Sequence, residues 1–100
     1  MNLVEILNAL SNDRRLKILE WLRDPEAHFP PQKDGDLVKD GVCAAFIAAK
    51  LDVSAPTLSE HMRILVDCRL VRAKKVKGWT MYKRNEKQIS TIKKALVEQI

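Results

Sequence analysis

One hundred residues, 46% hydrophobic and 31% charged, fit a single folded domain and are too apolar for a disordered chain. The longest unbroken apolar run, residues 42–49, is less than half a bilayer span, and the N-terminus has Glu5 but no Lys or Arg before Arg14, unlike a secretory leader. With Cys43 and Cys68 25 residues apart and no Asn-x-Ser/Thr sequon, the expectation is one small, soluble, cytoplasmic domain over residues 1–100, with no membrane partner.

Leu3, Ile6, Leu7 and Leu10 recur at i, i+3, i+4 and i+7, the apolar stripe of an amphipathic helix. Ser11, Asn12 and Asp13 offer capping side chains where a second helix begins, and Leu16, Ile18, Leu19, Trp21 and Leu22 carry it to Asp24-Pro25. Residues 24–41 hold three of the four prolines, two of the three glycines, five acids and two lysines, and read as a long loop. Within it, Phe29 is expected to tuck onto the core.

Residues 42–51 are alanine-rich and apolar, which suits a short buried helix. Asp52-Val53-Ser54 breaks it, Ser54 can cap a new helix, and Pro56 falls in the first turn, where proline is tolerated. Leu58, Met62 and Leu65 then share one face, while Thr57, Ser59, Glu60, His61 and Arg63 occupy the other. Two short helices joined by a tight turn, the second rich in hydroxyls near its start, form a helix-turn-helix whose second helix fits a major groove. Residues 70–76 and 79–84, rich in β-branched and aromatic side chains around Lys77-Gly78, read as a hairpin with a basic tip. Ile89, Ile92, Leu96 and Ile100 define a last amphipathic helix.

Charge is unevenly placed along the chain. Residues 63–84 carry eight basic side chains and one acid, Asp67, so +7 sits there and the overall +5 leaves −2 elsewhere. A localised basic stretch on a folded domain is the footprint of a polyanion partner or an ordinary solvated surface.

The order of helices, helix-turn-helix, basic hairpin and final helix resembles a winged helix-turn-helix: mainly α with a small β-hairpin, α-α-α-α-β-β-α. In particular, residues 9–19 (ALSNDRRLKIL) are similar to the opening "ALadptRlrIL" of the ArsR family of small bacterial repressors. Residues 51–65 (LDVSAPTLSEHMRIL) resemble its "LgvSqptvSrHlkiL" motif, and Leu70-Val71-Arg72 with Trp79-x-x-Tyr82 resemble its wing. The resemblance implies a homodimeric transcriptional regulator, usually a repressor, that releases double-stranded DNA on sensing a chemical signal. It also implies dimerisation through the terminal helices, residues 1–10 and 86–100, by Leu3, Ile6, Leu7, Leu10, Ile89, Ile92, Leu96 and Ile100.

On this reading Ser54, Ala55, Thr57, Ser59, Glu60 and His61 face DNA, where hydroxyls bond phosphates or bases and Glu accepts from a cytosine amine. Glu60 departs from the family, which more often has a basic or amide residue there. Arg63, Lys74, Lys75 and Lys77 are expected to neutralise phosphates, and Trp79 to pack at the base of the wing. Arg69 stands where the family usually has glycine.

The family's two usual metal sites are not matched. Its Cys-x-Cys is reduced to Cys43-Ala44-Ala45, and residues 86–100 contain neither Asp nor His, so no metal or cofactor is expected there. Two sensor ideas remain, for an unknown small-molecule or redox inducer. His28, Asp36, Asp40 and Cys43 converge on a metal or small molecule, or Cys43 and Cys68 respond to oxidation; the plainer alternative makes Cys43 a buried hydrophobe. The two cysteines fall at the start of one helix and the end of the next, too far apart for an intrachain bridge. A competing function is a winged-helix module for protein–protein docking, which calls for an apolar rather than a lysine- and hydroxyl-bearing face. An enzyme is excluded first: nothing here combines a nucleophile with a base or builds a phosphate loop.

Overall fold

A computed structural model describes residues 2–100. Helix α1 (Leu3–Leu10) is capped by Asn2, whose side chain accepts from Glu5 N–H, and α2 (Asp13–Arg23) by Asn12, which accepts from Arg15 N–H. These short polar caps satisfy N–H groups that a helix start leaves unpaired.

The next region departs from the expected loop at its start. Pro25 opens a single helical turn, α3 (Pro25–His28), and residues 29–41 then run as a loop, tethered as a strap against the core and the hairpin. Phe29 is buried as expected, edge-on to Trp21 at 6.2 Å, and Leu37 is buried farther along. Asp36 organises the turn over residues 36–41: its carboxylate accepts from Val38 and Lys39 N–H, and its carbonyl accepts from Asp40 and Gly41 N–H. This is the Asx-turn chemistry that favours Asp in loops.

The strap ends at strand β1 (Val42–Cys43), which corrects the helix expected from residue 42; helix α4 (Ala44–Leu51) begins two residues later. An apolar run this short has no period that separates strand from helix. What decides it is an antiparallel partner: Val42 pairs with Tyr82 and Cys43 with Met81. The hairpin, β2 (Val71–Val76) and β3 (Trp79–Arg84), is therefore part of a three-stranded sheet ordered β1-β3-β2. Lys77 (φ 49°) and Gly78 (φ 83°) are both left-handed and close it as a two-residue turn of the primed type.

Asp52, left-handed at φ 58°, stops α4, and Ser54 caps α5 (Ala55–Asp67). Arg69 (φ 64°) is left-handed beyond the end of α5, at the position where the family that the sequence resembles favours glycine. Helix α6 (Glu86–Gln99) closes the chain, capped by Asn85. No helix among the described residues is long and apolar enough to cross a membrane.

One apolar cluster runs through the fold, with Ile18, Ile47, Met62 and Leu65 wholly enclosed. It takes Ile6, Ile89 and Ile92, three of the residues expected at a dimer surface. The terminal helices use their central stripe to pack on the chain itself, because a 100-residue core needs them. Leu3, Leu10 and Leu96 are half-buried, while Val4, Leu7, Val97 and Ile100 are left in solvent.

Candidate nucleic-acid interface

Leu58, Met62 and Leu65 pin α5 to the core, so its opposite face is fixed outward. Ser54, Ala55, Ser59, Glu60 and Arg63 are exposed there, with Thr57 half-buried. Ser54 Oγ accepts from Thr57 N–H at 3.3 Å and donates to Thr57 Oγ1 at 3.0 Å. The Thr57 hydroxyl keeps its own proton to give, and Ser54 joins the cap to the surface. Residues at the start of such a helix are the ones a major groove admits.

His61 is half-buried and has a protein partner. Arg15 on α2 donates from Nη1 to His61 Nδ1 at 3.1 Å, from Nε to Ala9 O at 2.7 Å and from Nη2 to Asn8 O at 3.2 Å. One guanidinium thus ties the last carbonyls of α1 to the middle of α5, and His61 belongs to that clamp. Arginine only donates, so Nδ1 must be the bare acceptor and the ring is neutral. Burial and then the Arg15 charge lower the His61 pKa from its ordinary 6.5. The unfolded chain therefore takes up this proton first, and the clamp's contribution, complete above pH 6.5, is lost as pH falls through the lower folded value. Melting temperature is expected to drop more between pH 7.5 and pH 5.5 in the native chain than in His61→Gln, which accepts from Arg15 without titrating. Equal drops would remove His61 from the clamp.

Glu60 and Arg63 form an exposed chelate. Arg63 donates to both Glu60 oxygens, at 3.0 and 2.6 Å, and to Asp67 at 2.8 Å. The Arg63 hydrogen bond lowers the Glu60 pKa, and Glu60 in turn raises that of Arg63. All three side chains are more than half exposed, where such pairs contribute little and exchange readily for other partners. Glu60 and Asp67 together hold Arg63.

The wing lysines are not equivalent. On a strand, alternate side chains share a face, so Arg72, Lys74 and Val76 lie with Trp79, Met81 and Lys83, whereas Lys75 lies on the reverse with Thr80. The strap covers the first of these faces. Lys74 Nζ is 2.6 Å from Asp40, Lys77 Nζ is 3.5 Å from Asp34, and Lys83 Nζ donates to Lys39 O at 3.4 Å. The Asp36 N–H and then Lys74 hold the Asp40 carboxyl below its usual range. Lys75, by contrast, has no carboxylate within ion-pair distance among the described residues.

Arg84, counted among the basic residues in the sequence, is a half-buried tie. It donates to both Glu86 oxygens and from Nη1 to Leu19 O at 3.1 Å, locking β3 to α2. Of the eight basic residues, Arg63, Lys74, Lys77 and Arg84 carry acid partners. Sequence reading counted Asp34 in an acid-rich loop and named Asp40 as a candidate sensor residue, but paired neither with the basic hairpin. Their pairing across 34 or more residues had no local signal.

The expected convergence of His28, Asp36, Asp40 and Cys43 does not occur: no three His, Cys, Asp or Glu side chains among the described residues are grouped to hold a metal. Asp36 and Asp40 spend their carboxylates on strap N–H groups and Lys74. His28 ends α3, half-buried, and Cys43 is buried in β1 with its N–H given to Gln32 Oε1 at 2.6 Å. Cys43 and Cys68 are both free thiols, and burial raises the Cys68 pKa. Trp79 is half exposed beside the wing turn rather than packed at the wing's base.

A helix-turn-helix with its second helix outward, flanked by a basic two-stranded wing, defines a winged helix-turn-helix DNA-binding domain. Residues 42–73 match the model of the bacterial regulatory protein arsR family. The chain is 38% identical over 92 residues to the HTH-type transcriptional regulator YbzH of Bacillus subtilis (strain 168), spanning 92% of each. It is 33% identical over 91 residues to the arsenical resistance operon repressor of Staphylococcus xylosus, spanning 91% of this chain and 73% of that one. The solution structure of the homodimeric winged helix-turn-helix DNA-binding domain of Mb0332 from Mycobacterium bovis superposes with a TM-score of 0.65 at 22% identity, over 96% of this chain and 76% of that one. The chain belongs to the arsR family: it is a DNA-binding transcriptional regulator and not an enzyme.

Proposed function

We propose that this regulator acts as a homodimeric repressor that leaves its operator when a chemical signal is sensed. The observation that carries it is the outward face of α5 beside the wing. On this reading Ala55, Thr57, Ser59 and Glu60 contact base edges, and Arg63, Lys74, Lys75 and Lys77 meet phosphates, which the exposure of all but the half-buried Thr57 supports. Repression is supported by the arsenical resistance operon repressor among the relatives. Dimerisation is supported by the homodimeric neighbour and by Val4, Leu7, Val97 and Ile100, which the chain's own core leaves uncovered on both terminal helices.

Titration against DNA from upstream of its own gene and a scrambled control, across a salt series, tests the reading. A preference of roughly a thousandfold with a steep salt slope is expected. Ser59→Ala and Glu60→Ala should alter the preferred bases; an unchanged base profile takes both off the reading face. In sedimentation, Leu7→Glu with Val97→Glu is expected to turn a dimer into a folded monomer with weaker operator binding. A double variant that stays dimeric would place the interface elsewhere.

A further inference from the structure

Between the strap, the first turns of α4 and the wing lies a cleft of about 190 Å³, lined by Gln32, Asp34, Cys43, Phe46, Trp79 and Met81, with Lys33 and Ala45 at its edge. Its walls are mostly apolar, and the Gln32 and Asp34 side chains in them already have partners. Both ends of the Gln32 amide are used, Nε2 on Gly41 O at 3.0 Å and Oε1 on Cys43 N–H at 2.6 Å. Asp34 faces Lys77. Lys33 has no acid partner among the described residues, but it is exposed and its charge stays in solvent. Trp79, half exposed for a large aromatic side chain, forms part of the wall and supplies a flat face. A dry apolar cavity of about 150 Å³ is enough for benzene.

We propose that this cleft binds a small uncharged aromatic molecule, and that occupying it holds the acidic strap on the wing and so weakens DNA binding. The coupling follows from where the walls come from. Residues 32–34 belong to the strap, and Trp79 and Met81 to the wing, so the cleft is complete only while the two are together. A ligand shifts an equilibrium only by binding one state better, and this one binds the strap-down state. In that state Asp40 and Asp34 occupy Lys74 and Lys77, the groups that phosphates would otherwise take. By linkage, DNA and the aromatic ligand then weaken each other by the same factor. The coupling rests on the wing's role in the proposed repressor; the cleft's occupancy does not.

Toluene is the probe, titrated into the full chain with the Met81 methyl and the two indole N–H groups observed by NMR. Saturable shifts at Trp79 and Met81, with Trp21 still, are expected. Ala45→Leu, at the cleft edge on the exposed side of α4, should abolish them while the remaining spectrum stays native. Non-saturable shifts, shifts equal at Trp21, or full binding by Ala45→Leu overturn the site. Trp79 shifts that follow protein concentration without toluene assign the face to a second copy of the chain and also overturn it. At saturating toluene the Kd for DNA should rise about fivefold. The double variant Lys74→Met with Lys77→Met should bind DNA more weakly yet take up toluene normally, and its DNA affinity should no longer respond. Toluene that binds without changing native DNA affinity overturns the coupling alone. A chain that binds toluene but no DNA defeats the repressor reading and leaves the site standing.

Discussion

Replacing Gly41 with alanine is expected to destabilise the protein by about 2 kcal/mol, seen as a fall in melting temperature of roughly 8–16 °C. Gly41 sits at φ +105°, where a side chain is strained whatever the space available. A Cβ there would also lie 2.5 Å from the Tyr82 carbonyl oxygen and 2.7 Å from its carbon, both rigid backbone of β3. Relief requires β1 to back away from β3, which breaks the Val42–Tyr82 and Cys43–Met81 pairs. It also disturbs the Gln32 amide and the Asp36 carbonyl, both bonded to Gly41. Thermal melts of native, Gly41→Ala and Gly35→Ala chains measure this. Gly35 is also left-handed, but its nearest neighbour for a Cβ is the flexible end of Met81 at 3.4 Å, so its replacement should cost less. Equal losses at the two positions would mean that the close approach at Tyr82 has slack.

That contrast shows what the sequence could and could not convey. Helix starts at Asn12 and Ser54, the inward row Leu58, Met62 and Leu65, and the Lys77-Gly78 turn were legible because their causes are local: a cap, a period, a pair of residues tolerant of positive φ. Gly41 looked like any loop glycine, because what demands it is the backbone of residue 82. β1 was hidden for the same reason; two residues form a strand only when a distant edge accepts them. The partners of Arg84 and His61 were not legible because a charge count treats every basic or polar group on a surface element as free. Burial against α2 and the reach of Arg15 are decided by tertiary packing. The outward face of α5 survived because its inward face is specified so strongly. The dimer residues split for the reverse reason, since Ile6, Ile89 and Ile92 satisfy a core and an interface pattern equally well.

The same limits shape the second prediction, on the wing. A sequence count gives Lys74, Lys75 and Lys77 equal weight, whereas the structure gives two of them acid partners. A phosphate reaching Lys74 or Lys77 must first displace Asp40 or Asp34, while at Lys75 it displaces only water and small ions. Lys75→Ala is therefore expected to weaken binding to all DNA sequences about tenfold and to lower the log–log salt slope by about one unit. Lys74→Ala and Lys77→Ala should each cost less, because removing the lysine also removes a competing pair. Asp40→Asn should do the opposite: it frees Lys74, tightens binding to operator and scrambled DNA alike, and steepens the slope. Exposed pairs are individually weak in water, so the effect on folding should be small even where the effect on DNA is several-fold. Salt-dependent titrations of the four variants separate the possibilities. Equal losses at all three lysines, with no gain from Asp40→Asn, would show that the strap lifts clear before DNA arrives. A loss confined to Lys74 and Lys77 would put the covered face of the wing against the phosphates. The ranking expected here, Lys75 above the other two and Asp40→Asn tighter than native, requires the strap to compete with DNA for the wing.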